Sequence, residues 1–115
     1  MSKPTVPSDA WERCVEAVRE AADIASTFDG RLSYDPIVRG VRLLFSHPGR
    51  PVRAVAIAVS GDDENGVRIT ARVEGDEAEA LSIYEGPPKP ASAMQAAMQA
   101  IGRWYGGEVH RVTHG

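Results

Sequence analysis

Few side chains in this sequence could do chemistry: Cys14, the pair His110 and His114, the acidic run Asp62-Asp63-Glu64, and the arginines at 31, 39, 42, 50 and 53. Cys14 is the single cysteine and falls on an apolar helical stripe. A free cysteine there acts as a small core hydrophobe, whereas a nucleophile needs an exposed, electropositive setting. His110 and His114 stand four apart, a metal-chelating spacing on a helix. They follow Gly106-Gly107 and flank Val112, however, and in a strand the two would lie about 13 Å apart, too far to share an ion. There is no HExxH and no companion cysteine, and zinc sites want three or four ligands. Asp62, Asp63 and Glu64 precede Asn65-Gly66 but lack a calcium loop's alternation and its closing glutamate, since the twelfth position is Val73. They read as a polar turn. No nucleophile elbow, phosphate loop or dinucleotide fingerprint occurs, so an enzyme ranks last among the readings, and no metal or other cofactor is called for.

The arginines sit in a block carrying +4 over residues 30–54, followed by one carrying −6 over residues 60–86. Net charge is −3 over 115 residues, and alternating blocks of this kind favour compensation within the fold. Tyr34 and Phe45, placed among the arginines, could stack bases. With the α-β-β-β-…-α order, this loosely resembles double-stranded RNA-binding modules. Those modules need a lysine-rich start to their last helix; here that stretch is PPKPASAMQ, and the acidic block would repel a polyanion. Nucleic acid is therefore an unfavoured partner.

The elements that must position these residues are legible in the periodicity. Residues 1–7, with Pro4 and Pro7, read as a loose arm, and residues 8–115 as one domain. Ser8 is a good N-cap for a helix whose stripe is Trp11, Cys14, Val15, Val18, Ala21, Ala22, Ala25 and Phe28. Arg19 and Asp23 form an i,i+4 pair on its polar face. Residues 31–36 read as a linker containing Pro36. A strand follows in IVRGVRLLF, then a type II turn at His47-Pro48-Gly49-Arg50 and a second strand over about 51–60. Residues 67–73 alternate apolar and polar as a third strand, and residues 80–85 are expected to be a fourth. Ser92 and Gln95 suggest a capping box for a last helix ending at Gly106-Gly107, with Met94, Ala97, Met98, Ile101, Trp104 and Tyr105 on its apolar face. Val109 and Val112 would belong to a short strand or tail. The expected fold class is α+β: a two-layer sandwich, an antiparallel meander of about four strands with an N-terminal and a C-terminal helix, in the order α-β-β-β-β-α.

One strand poses a question. In VRAVAIAVSGD the branched residues Val55, Ile57 and Val59 supply a core face, yet the other face, Ala54, Ala56 and Ala58, is apolar too. It could be partly exposed, closed over by a helix, or covered by another chain. With no chemistry in evidence, the leading expectation is a small cytoplasmic protein-binding module, adaptor-, chaperone- or inhibitor-like, whose partner is another protein or a second copy. Small acidic bacterial chaperones and phage- or toxin-type inhibitors are similar in size and charge, though no motif carries that likeness. The candidate contact residues are Ala54, Ala56, Ala58, Trp104 and Tyr105. The first alternative is a small-molecule binder with a pocket between helices and sheet, lined by Tyr84, Trp104 and Tyr105. MSKPTVPSDAWER has no apolar leader-like run and no segment approaches a membrane span, so a cytoplasmic location and no membrane partner are expected.

Overall fold

The computed structural model describes residues 9–75 and 79–114. Its order is α1 (Ala10–Ser26), β1 (Leu32–Ile37), β2 (Gly40–Phe45), β3 (Arg53–Asp62), β4 (Gly66–Val73), β5 (Leu81–Gly86) and α2 (Pro90–His114). The strands form one antiparallel meander, β1-β2-β3-β4-β5, with both helices on one face. The α+β sandwich is as expected, with five strands rather than four. The arm at residues 1–7 and the N-cap at Ser8 lie outside the described residues.

The additional strand is β1, which overlaps residues 31–36, the stretch that the sequence suggested as a linker containing Pro36. Proline lacks only the N–H, so an edge strand tolerates it where that group would face away from the ladder. Pro36 pairs with Val41 on the edge strand β1, and the reversal to β2 is made at Val38-Arg39, with Arg39 at φ 58°. The next connection is the expected type II turn: Gly49 takes φ 78°, and Arg50 N–H donates to the His47 carbonyl at 3.1 Å.

The core lies between sheet and helices. Val41, Leu43 and Phe45 of β2, Val55, Ile57 and Val59 of β3, and Val67 and Ile69 of β4 meet Cys14, Val18, Ala21 and Ala22 of α1 and Ala93, Ala97 and Ile101 of α2. Each large aliphatic side chain so buried contributes on the order of 1.5–3 kcal/mol. The alanines on both helices let them lie close together.

α2 differs most from expectation. It begins at Pro90, where a missing N–H costs nothing, and it runs through Gly106-Gly107 to His114. The apolar ridge continues past the glycines: Ala93, Ala97, Ile101, Trp104 and Glu108 are all buried, so tertiary packing overrides the low propensity of Gly-Gly. Phe28, placed on the α1 stripe by periodicity, lies beyond that helix's last residue and is exposed.

Three long-range contacts fix how the elements meet. The residue before α1, Asp9, makes no side-chain cap. Asp63, from the β3–β4 hairpin, caps the helix instead: its carboxylate accepts from the N–H groups of Ala10 at 3.0 Å and Trp11 at 2.8 Å. Arg19 does not pair with Asp23; it donates to the carbonyls of Gly40 at 2.9 Å and Ile37 at 2.7 Å, while Asp23 accepts from Tyr34. Arg39 donates to the carbonyls of Val59 and Gly61 and lays its guanidinium 3.9 Å over the Trp11 ring.

Candidate functional site

α1 covers β1, β2 and β3, whereas α2 packs on α1 and touches the sheet mainly at β5. This uneven cover leaves a cleft of about 370 Å³ on the β4–β5 side. Val55, Ala71, Val73, Leu81 and Ile83 line it from the sheet, Ala100, Arg103 and Trp104 from α2, and Glu79 also contributes. A hollow of about 230 Å³ adjoins it, sharing Leu81, Ile83, Ala100 and Arg103 and continuing along α2 past Ala96 and Gln99.

Local structure in β5 aims its side chains at this cleft. Ile69 of β4 pairs with Tyr84, but the next residue, Thr70, pairs with Ser82, so Ile83 is the extra residue of a β-bulge. A bulge bends its strand and re-aims a side chain, and Ile83 lines the cleft. Tyr84 turns its hydroxyl to the Pro87 carbonyl and takes no part. Leu81 pairs with Ala71 and stands 62% exposed, a large aliphatic group in water at the cleft's mouth. β5 pairs with β4 alone and is thus an edge, with backbone donors and acceptors on its outer side. The opposite edge, β1, carries Pro36; β5 contains no proline. Trp104 is only 9% exposed, and its indole N–H finds no hydrogen-bond partner among the described residues.

The structure separates the five residues proposed from sequence. Trp104 lines the cleft. Tyr105 beside it does not: its hydroxyl donates to Asp29, and its ring meets Phe45 edge-on with centroids 6.1 Å apart. Bonds from Arg31, then from Tyr105, hold the Asp29 carboxyl well below the ordinary carboxylate range. Ala54, Ala56 and Ala58 lie on the opposite face of the sheet, which no helix among the described residues covers. Ala54 is nonetheless buried, and Ala56 and Ala58 are half-buried. Arg42 on β2 stands directly opposite Ala56 and reaches across β3 to Glu74 at the end of β4, Nε to Oε2 at 2.5 Å. The small side chains leave room for that bridge, so the molecule's own side chains partly cover the alanine face.

Most of the other candidates are engaged structurally. Arg31 pairs with Asp29, Arg42 with Glu74, and Arg53 with Glu108. Asp62 accepts from Asn65 within its hairpin, and Asp63 caps α1. Cys14 is fully buried, and desolvation, then the nearby Asp63 charge, push its thiol pKa up. His110 and His114 lie on a helix, not a strand, with ring centroids 4.4 Å apart. Among the described residues, no three His, Cys, Asp or Glu side chains gather into a group that could hold a metal, and no helix is long and apolar enough to cross a membrane.

Sequence reasoning missed the exposure of Leu81, the bulge at Ile83 and the burial of Glu108. Only Glu108 left a signal: it extends the ridge of Ala97, Ile101 and Trp104. Comparison with other proteins adds no likeness: no protein-family model matches the chain, nor does any curated protein or solved structure.

Proposed function

We propose that this protein is a non-catalytic protein-binding module that takes an extended segment of a partner along the β5 edge. An apolar side chain of that segment sits in the cleft between β5 and α2. The observation that carries the reading is a proline-free edge strand beside an apolar cleft, with Leu81 exposed at its mouth. Edge-strand addition draws affinity from main-chain hydrogen bonds and selectivity from a side-chain pocket. Six residues of β5 offer about 20 Å of backbone, enough for a segment of five or six residues. Arg103 at the cleft favours an acidic residue beside the apolar one.

A small apolar molecule is the second reading, favoured by the cleft's volume, which falls within the roughly 300–1,000 Å³ range of ligand pockets. Nucleic acid is less favoured, because Arg31, Arg39 and Arg42 are already engaged within the fold.

The test is selection from a displayed random-peptide library against the native chain and against Ala100→Trp, which fills the cleft. Peptides with an apolar residue that bind the native chain and not the variant are expected. Failure to enrich any, or enrichment equal on both, would overturn the reading.

A further inference from the structure

A second cavity, sharing no lining residue with the cleft, lies where the β2–β3 turn meets the last turns of α2. Its volume is about 220 Å³. Phe45, Pro51 and Val112 give it apolar walls; His47, Arg50, Arg53 and Arg111 line it with Glu108, the one carboxylate among the lining residues. Glu108 is 4% exposed. Arg53 Nε stands 3.3 Å from both of its oxygens, and Arg111 Nε lies 4.0 Å from Oε2, too long for a hydrogen bond. Oε2 is buried and accepts no hydrogen bond among the described residues. One carboxylate is thus shared by two guanidinium groups and saturates neither. The terminal nitrogens of Arg53 make no described bond, and Arg111 makes none beyond its long approach to Glu108.

We infer that this cavity binds a small oxyanion, a carboxylate or a phosphate monoester, carried on a body with an apolar part. The anion lies between Arg53 and Arg111, and the apolar part lies against Phe45, Pro51 and Val112. Guanidinium forks match the geometry of both oxyanions, and apolar walls strengthen the field there by excluding water. Glu108 competes with the ligand for both arginines, holding them in place when the cavity is empty and weakening the anion's grip when it is full. The site is independent of the cleft and stands or falls without it.

The test is titration of the full chain with phenyl phosphate, benzoate and inorganic phosphate, read by amide shifts in a ¹H–¹⁵N spectrum. Saturable shifts are expected at residues 45–53 and 108–112, with the preferred probe identifying the oxyanion. Arg111 is exposed, so Arg111→Gln should leave the fold intact and weaken binding about tenfold, as loss of one charge-assisted hydrogen bond would. Glu108→Gln keeps the shape and removes the competing charge, so it should tighten binding. That opposite response distinguishes a binding role from a merely structural one. No saturable shift at millimolar probe, or shifts that neither variant alters, would overturn the proposal. Phenyl phosphate binding no tighter than inorganic phosphate would overturn its apolar half.

Discussion

Leu81 and Trp104 stand on opposite walls of one cleft: the first is 62% exposed on an edge strand, the second 9% exposed on α2 with an indole N–H that meets no acceptor among the described residues. An exposed leucine loses hydrophobic stabilisation, and a buried unpaired donor costs on the order of 1–3 kcal/mol. Both costs fall at the same place. An apolar segment laid along β5 would relieve the first.

The cap on α1 comes from the far hairpin, so helix and hairpin should be thermodynamically linked. Asp63→Ala is expected to cost about 1 kcal/mol by urea denaturation. Asp63→Asn, which keeps an acceptor oxygen, should recover part of that. An unchanged midpoint in Asp63→Ala would mean the contact contributes nothing.

Arg53 and Glu108 tie the start of β3 to the last turns of α2. Arg53→Ala leaves a nearly buried carboxylate with only the distant Arg111, and is expected to destabilise by about 3 kcal/mol. The double variant Arg53→Met/Glu108→Leu should regain most of the loss. Denaturation of the single and double variants checks both statements; equal losses would show that the stranded charge is not the cause.

Asp29 sets an acid limit. Its pKa is depressed in the fold by Arg31 and Tyr105, so its contribution is present above the unfolded carboxylate's value of about 3.9 and is lost as pH falls through the lower folded value. Tyr105→Phe removes one of the bonds that lower it. The acid-unfolding midpoint, followed by circular dichroism, should therefore move to higher pH in the variant. A midpoint that stays put would contradict the assignment.

The Arg42–Glu74 bridge crosses β3 where Ala54 and Ala56 present small side chains. Half-exposed pairs of this kind are weak, so a double-mutant cycle should give about 0.5 kcal/mol, less in high salt. Repeating the cycle in an Ala56→Leu background should abolish the coupling. Coupling that survives would mean the bridge does not need the alanines.

Most of the architecture was legible in the sequence because strand and helix periods differ. Val67, Ile69, Ala71 and Val73 alternate, Cys14, Val18, Ala21 and Ala25 do not, and Pro48-Gly49 marked its turn. Two local rules misled. Pro36 argued only against helix and said nothing for a strand, since a proline's tolerance depends on whether the strand is an edge, a property of the whole sheet. Gly106-Gly107 hid the end of α2, since packing of Trp104 and Glu108 outweighs glycine's cost. The candidate site was less legible. Trp104 was named correctly, but Tyr105 is held by Asp29 and Tyr84 by Pro87, contacts that periodicity does not encode. The bulge at Ile83 and the exposure of Leu81 arise from register between strands. The alanine face did carry a message, though a different one: it leaves space for Arg42 to reach Glu74.

The most direct test of the central claim is amide hydrogen exchange of the native chain, free and with a peptide selected for loss of binding to Ala100→Trp. The account predicts that the outward-facing amides of residues 81–86 exchange fast in the free chain and slow markedly in the complex. Protection gained instead on the open sheet face around Ala56, with residues 81–86 unchanged, would contradict it.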